Sequence, residues 1–144
     1  MFFDELNAVY PKGRFVGIYY DDPKLTLNTN LRWAVGVIVE ENGVQTIPEY
    51  VTYLLKSRLY QYGELPQVDK AILSTFPCKT WLSIILAVLK VYPAISTYSE
   101  KHGVHGIPAV EYYHDGKIDF IFPLDHNEEM WLPSVKEMHP IFLR

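Results

Sequence analysis

The sequence predicts an α+β domain organised around an antiparallel sheet. Three observations support this fold class: a pattern typical of a β-hairpin around Asp115-Gly116, apolar residues at helical spacing in several segments, and a similarity between the two halves of the chain. Of the 144 residues, 49% are hydrophobic and 21% are charged, which is typical of a globular protein. We therefore expect residues 1–144 to form a single domain, with an irregular tail from about residue 125.

The predicted elements, in chain order, are a helix over 2–9, strands over 14–20 and 31–40, a helix over 47–59, a strand over 68–76, a helix over 79–91 and the two strands of the hairpin. The helix over 47–59 begins at a capping box, with Thr46 at the N-cap and Glu49 three residues later. The helix over 79–91 is apolar nearly all round, so we expect it to be buried on more than one side. Pro93 should break or kink it before one or two further turns.

The hairpin places an acid on an apolar face. With the turn at Asp115-Gly116, directly opposed residues share a face of the sheet. One face then carries Ala109, Glu111, Tyr113, Ile118, Phe120 and Phe122. A carboxylate on such a face must be paired, protonated or directed at a ligand, because leaving it charged and dry is costly. Glu111 is therefore the main candidate for a functional residue.

The two halves of the chain share an order of elements. A helix, GIYYDDP and LRWAVGVIV in the first half correspond to a helix, VEYYHDG and IDFIFPL in the second half. The second half reads strand-helix-strand-strand, whereas the first half has no opening strand. We interpret this as an internal duplication whose first copy is cut short. It makes Tyr20 the counterpart of Tyr113 and Ile18 the counterpart of Glu111.

Four segments carry a resemblance to a known family: IYYDDP (18–23), LRWAVGVIV (31–39), TFPCKTWLSIILAVLKVYPAISTY (75–98) and VEYYHDGKIDFIFPL (110–124). They resemble the GyrI-like small-molecule-binding domain, and within it the animal branch of testis-expressed ER-phagy receptors. The resemblance implies two strand-helix-strand-strand repeats related by a pseudo-twofold axis, with a ligand cleft between them. The first strand of that fold is missing from this chain, and Ser134 stands where the receptor branch has an acid.

The resemblance also implies functions and partners. Bacterial members bind hydrophobic cations or toxins in multidrug sensing, and some hydrolyse cyclopropane-bearing alkylating toxins. The receptor branch is anchored in the ER membrane, binds autophagy modifiers through its tail, and is linked to an AAA segregase, to SUMO and to repair of DNA–protein adducts. This chain shows neither that anchor nor that tail, so we expect it to be cytosolic, at the ER surface if the full-length protein carries the anchor.

The candidate ligand-binding residues are Glu111, Tyr113, Tyr20, Trp33, Phe120, Phe122 and Trp131. Glu111 corresponds to the family's pocket glutamate, and the aromatic rings would hold an organic cation beside it. In a hydrolase Glu111 would instead act as the acid or base. The alternatives are a structural carboxyl group bonded to a neighbouring hydroxyl or backbone N–H and ordinary aromatic core packing. Trp131 would either cover the cleft or attach the tail.

Other classes of function find little support. The net charge is −4 and no Lys/Arg cluster stands out, which argues against direct nucleic-acid binding. Asp21-Asp22-Pro23 is typical of a turn, the five histidines do not indicate a metal site, and we expect no cofactor. Cys78 is the only cysteine, which excludes an internal disulfide. The longest apolar run, 81–89, is shorter than the roughly 20 residues of a membrane span.

We therefore expect a binding module for a small hydrophobic or cationic ligand or a short peptide. The rival hypotheses are a hydrolase that uses Glu111, and an interaction scaffold whose cleft is vestigial. The sheet edge left by the missing strand would permit a homodimer.

Overall fold

The computed structural model describes residues 13–22, 24–46, 56 and 60–136. The helix expected over 2–9 lies outside the described residues, and so does the helix over 47–59 apart from residue 56. The described strands and helices are β1 (Phe15–Tyr19), β2 (Trp33–Val37), β3 (Glu40–Glu41), β4 (Val44–Gln45), β5 (Ala71–Pro77), α1 (Trp81–His102), β6 (Ala109–His114), β7 (Lys117–Pro123) and α2 (Pro133–Lys136).

Five of the strands form one antiparallel sheet in the order β2-β1-β6-β7-β5. The short strands β3 and β4 pair with each other. Among the described residues, one long helix and an antiparallel sheet confirm the α+β class. Strands β2 and β5 form the two edges of the large sheet in the part of the chain that the structure describes.

The β6–β7 hairpin has the predicted register. Glu111 lies opposite Phe120, and Tyr113 lies opposite Ile118. Asp115 and Gly116 both have positive φ, at 47° and 71°, as a type I′ turn requires. The alternation of apolar residues and the turn chemistry therefore specify this element locally.

The two hairpins meet in the middle of the sheet. Strand β1 runs antiparallel to β6, with Gly17 directly opposite Glu111. Glu111 thus lies on a central strand, between Gly17 on one side and Phe120 on the other.

The helix α1 is longer than predicted. It continues unbroken through Pro93 to His102 and is capped by Gly103, which has a left-handed conformation with φ 64°. Of the predicted break or kink at Pro93, the break is wrong, because packing of α1 on the sheet outweighs the backbone hydrogen bond that proline removes. Thr97 Oγ1 donates to the Pro93 carbonyl at 3.0 Å.

The expectation that α1 is buried on more than one side is also wrong. Ala87 and Val91 are buried against the sheet, whereas Leu82, Leu86 and Leu89 on other sides are more than half exposed. By length and composition alone, Leu82–His102 could also cross a membrane, with a mean hydropathy of 1.4. The apolar run over 81–89 missed this because it stopped at Lys90, whereas the helix continues past that residue. Core helices of non-membrane proteins pass the same test but are mostly buried, whereas 11% of this apolar window is buried; α1 packs on the sheet along one side.

Two apolar layers cover the two faces of the sheet. The helix face, defined by Ile118, Phe120 and Phe122, packs against Ala87 and Val91 of α1. The tail face packs against the chain that follows β7, and its core consists of Val16, Ile18, Tyr20, Val110, Met130 and Val135. The tail expected to be irregular from about residue 125 therefore includes α2 and completes a core.

Candidate functional site

The candidate site is centred on Glu111, whose residue surface is only 3% exposed. The alternation of β6 turns its side chain to the helix face, where α1 lies above it. A carboxylate at such a position needs hydrogen-bond donors, since burial removes its water.

Both oxygens of Glu111 accept hydrogen bonds from tyrosines. The Tyr92 hydroxyl on α1 donates to Oε1 at 2.7 Å, and the Tyr113 hydroxyl on β6 donates to Oε2 at 2.6 Å. These lengths are in the range of charge-assisted O–H···O bonds. The sheet and the covering helix thus each supply one donor to the same buried acid.

Tyr19 on β1 is the third tyrosine at this acid. Burial, followed by the charge and hydrogen bonding of Glu111, raises the pKa of Tyr19. Its ring lies over Gly17, where an added Cβ would be 3.1 Å from Tyr19 Cε2 and 3.2 Å from the hydroxyl oxygen. The glycine opposite Glu111 therefore leaves room for the Tyr19 ring to lie back along β1, on the side where Glu111 is. We name Glu111, Tyr19, Tyr92 and Tyr113 the tyrosine–glutamate cluster.

The electrostatics of the cluster keep the phenols protonated. Burial is the main cause that raises the pKa values of Tyr92 and Tyr113, and the charge and hydrogen bonding of Glu111 raise them further. All three hydroxyls therefore remain donors at neutral pH. The site combines one buried acceptor with the faces and edges of three partly buried rings.

Several predicted site residues lie beside this cluster. The rings of Phe120 and Phe122 each meet Tyr92 edge-on, with ring centroids 5.8 Å apart, and both are buried. They form the packed floor under the helix. Trp33 lies opposite Tyr19 on the edge strand β2 and is 57% exposed. The structure thus brings together Glu111, Tyr113, Phe120 and Phe122, with Trp33 at the rim.

Tyr20 and Trp131 do not join this group. Tyr20 is buried in the tail-face core, where its hydroxyl donates to the Met130 carbonyl at 3.3 Å. Trp131 packs on Tyr20 with ring centroids 4.6 Å apart, and the Arg32 guanidinium lies 4.6 Å from the Trp131 ring centroid. The placement of Tyr20 beside Glu111 is therefore wrong, because neighbouring residues of a strand point to opposite faces.

The alignment of the two halves of the chain predicted from the sequence, with Ile18 as the counterpart of Glu111, is wrong by one residue. The register pairs Gly17, rather than Ile18, with Glu111. A two-fold axis through that pair relates Tyr19, rather than Tyr20, to Tyr113. The alternation of Phe15, Gly17 and Tyr19 along β1 is the signal that could have shown this. Tyr92 was missed because α1 was expected to end near residue 91.

The other polar groups singled out from the sequence have structural partners. Asp21 forms a bidentate ion pair with Arg32, at 2.7 and 2.9 Å, and Asp22 Oδ1 accepts from the Lys24 backbone at 2.8 Å. His114 lies between Asp115 and Asp119. Among the described residues, one group of side chains has ligand atoms close enough to hold a metal ion: Asp69, Asp125 and His126.

Two curated relatives match this chain. One is testis-expressed protein 264 homolog of Mus musculus, 33% identical over 135 residues, and the other is testis-expressed protein 264 of Homo sapiens, 32% identical over 135 residues. Each match covers 94% of this chain but 43% of the relative, so the chain spans less than half the length of these relatives. No family model and no solved structure matches the chain. Homology to testis-expressed protein 264 over nearly the whole chain supports the testis-expressed branch of the resemblance.

Proposed function

We propose that this chain is the folded ligand-binding domain of an ER-phagy receptor-like protein, and that the tyrosine–glutamate cluster attracts an amphipathic cation. Homology to testis-expressed protein 264 supports the receptor-like role. The buried carboxylate behind three tyrosine rings supports the binding role.

The observation that carries the binding role is the way Glu111 is held. Its two oxygens are held by phenol hydroxyls, so the carboxyl group is positioned before any ligand arrives. Tyr19, Tyr92 and Tyr113 each keep part of their surface exposed. A cation lying on these rings would gain cation–π attraction and a Coulomb term from the carboxylate behind them.

The same geometry favours a binding role over hydrolysis. A general base must reach the water that it activates, within hydrogen-bond distance. Both oxygens of Glu111 already accept from tyrosines. Glu111 is therefore better suited to attract charge than to remove a proton.

The GyrI-like fold is part of the proposal. The β1–β2 and β6–β7 hairpins lie side by side about a local two-fold axis, and β5 pairs with the outer side of β7. The strand that the resemblance expects in the first repeat would occupy the equivalent place outside β2. In the full-length protein this domain would face the cytosol, where an AAA segregase and SUMO are its proposed partners.

The binding role is tested with tetraphenylphosphonium, a lipophilic cation. Calorimetric titration should show saturable binding to the parent chain and a loss of at least about tenfold in affinity for Glu111→Gln. Glu41→Gln is the matched control, because Glu41 also accepts from a tyrosine, Tyr112, outside the cluster. Equal affinities for the parent chain and Glu111→Gln, or no binding to the folded parent chain, would reject the binding role.

The receptor-like role needs a separate test. Deleting the gene should reduce delivery of an ER-resident reporter to lysosomes during starvation, and the intact gene should restore it. Unchanged delivery after deletion would reject this role whether or not the cluster binds cations.

A further inference from the structure

A second polar group lies at the far edge of the sheet, where β5 begins and β7 ends. Strand β5 pairs with β7 from Ala71 opposite Pro123, and the ladder continues as Leu124 N donates to the Lys70 carbonyl at 2.8 Å. One step further along this ladder, Asp69 and Asp125 come opposite each other. Like charges directly opposite each other in a sheet are destabilising unless a cation lies between them.

One oxygen of Asp125 lacks a partner. Its Oδ2 accepts from the Lys70 backbone N–H at 3.0 Å, whereas Oδ1 is shielded from solvent and has no hydrogen-bond partner in the described part of the chain. A buried carboxylate oxygen without a partner costs free energy comparable to a lost hydrogen bond or more. A bound cation or a water molecule at this atom would remove that cost.

His126 supplies a nitrogen to the same place. A ligand atom of Asp69, one of Asp125 and one of His126 all lie within 4.8 Å of one another. His126 Nδ1 lies 2.8 Å from Glu129 Oε1, in a turn closed by Glu129 N donating to the His126 carbonyl at 3.0 Å. A carboxylate on one ring nitrogen fixes the tautomer and leaves the other nitrogen as a metal ligand, an arrangement common in histidine metal sites.

We infer that Asp69, Asp125 and His126 form a binding site for a divalent transition-metal ion such as zinc, with Glu129 as the positioning residue for His126. Two carboxylate oxygens and one imidazole nitrogen suit zinc better than calcium or magnesium, which prefer oxygen ligands alone. Bonds of about 2.1 Å to the metal would bring the three atoms to within about 4 Å of one another. Asp69 and His126 are exposed, so their side chains can make this small movement.

The position of the site indicates what the ion would do. It would join the start of β5 to the chain that leaves β7 and delivers Met130 and Val135 to the tail-face core. Metal binding would therefore clamp this segment to the sheet edge, and the remaining coordination position would hold water.

The test is titration of the metal-free 144-residue chain with zinc alone and with cobalt(II) as a spectroscopic probe. We expect one ion per chain, a Kd below about 100 µM, and cobalt absorption bands typical of mixed oxygen and nitrogen ligands. Asp69→Asn and His126→Gln should each weaken binding by more than about 100-fold, since even removal of a supporting carboxylate such as Glu129→Gln costs about 10–100-fold. The exposed His105 provides the control variant His105→Gln.

Circular dichroism should show the parent fold in each metal-free variant, since the changed side chains are exposed. Glu129→Gln removes no metal ligand. If Asp69→Asn or His126→Gln fails to fold, the zinc affinity of Glu129→Gln is compared with that of the parent chain instead. Zinc should raise the melting temperature of the parent chain and of His105→Gln, but not that of His126→Gln. Zinc affinity that is unchanged in both His126→Gln and Asp69→Asn, or absent from the parent chain, overturns the inference.

Discussion

The hydroxyl of Tyr92 on α1 lies 2.7 Å from Oε1 of Glu111 on the central strand β6. This bond ties the covering helix to the middle of the sheet. Apolar packing alone is non-directional, whereas a hydrogen bond to a buried carboxylate requires one position of the helix along the sheet.

Removing this hydroxyl should weaken the fold. We expect Tyr92→Phe to lower the free energy of unfolding by about 1.5–3 kcal/mol, because it removes a hydrogen-bond donor from a buried carboxylate. Urea denaturation measures the change. Tyr98→Phe on the exposed side of the same helix should change it by less than about 0.5 kcal/mol. Equal effects of the two substitutions would contradict the role assigned to Tyr92.

The glycine opposite Glu111 should not tolerate a side chain. An added Cβ at Gly17 would lie 3.1 Å from Tyr19 Cε2, so the ring must move by a few tenths of an ångström. We expect Gly17→Ala to lower the free energy of unfolding by about 1 kcal/mol, since crowding outweighs the lost flexibility of the unfolded chain. Gly36→Ala is the control, because its Cβ would lie 3.8 Å from Val16 Cγ1. Gly36→Ala should leave the free energy of unfolding unchanged or raise it. The same result for Gly17→Ala would contradict the close contact of the Tyr19 ring with Gly17.

The ion pair of Asp21 with Arg32 should make stability depend on pH. Hydrogen bonds from Arg32 are the main cause that lowers the pKa of Asp21 in the folded state. This stabilisation is present above the unfolded pKa of about 3.9 and is lost as the pH falls through the lower folded pKa. Asp21→Asn should therefore be less stable than the parent chain at pH 7, by about 1 kcal/mol.

The difference in free energy of unfolding between the parent chain and Asp21→Asn should shrink below about pH 4. Urea denaturation from pH 2.5 to pH 7 measures it. Glu100→Gln, an exposed acid on α1, is the control and should follow the parent chain at every pH. A difference for Asp21→Asn that stays constant with pH would contradict the assignment.

Substitutions of Trp131 in the tail and of Trp33 on the edge strand should affect different properties: the first should lower stability and the second should lower cation affinity. Trp131→Ala removes the packing on Tyr20 and the contact with Arg32, and should lower the free energy of unfolding by about 2–3 kcal/mol. It should leave the affinity for tetraphenylphosphonium unchanged, because Trp131 lies on the tail face. Trp33→Ala, at the rim of the cluster, should lower that affinity with little loss of stability. Weaker cation binding by a stable Trp131→Ala would instead support a covering role for Trp131.

The β6–β7 hairpin shows how far local sequence can specify structure. Its turn and alternation predict the register of Glu111 opposite Phe120 correctly. The same kind of reasoning failed on β1, since no turn of known type fixes its register and a shift of one residue exchanges Tyr19 for Tyr20. The extent of α1 was also beyond local reasoning, because contacts with the sheet decide whether a helix passes a proline.

The sequence by itself determined the α+β class, the hairpin, and the presence of an acid on an apolar face. These follow from turn chemistry and from the period of the side chains, which act over a few neighbouring residues. Only the tertiary structure decided which groups meet that acid. Tyr92 is 19 residues from Glu111 along the chain and Tyr19 lies on another hairpin, so long-range packing brings them together. The same holds for Asp69 and Asp125, which the β5–β7 pairing places side by side.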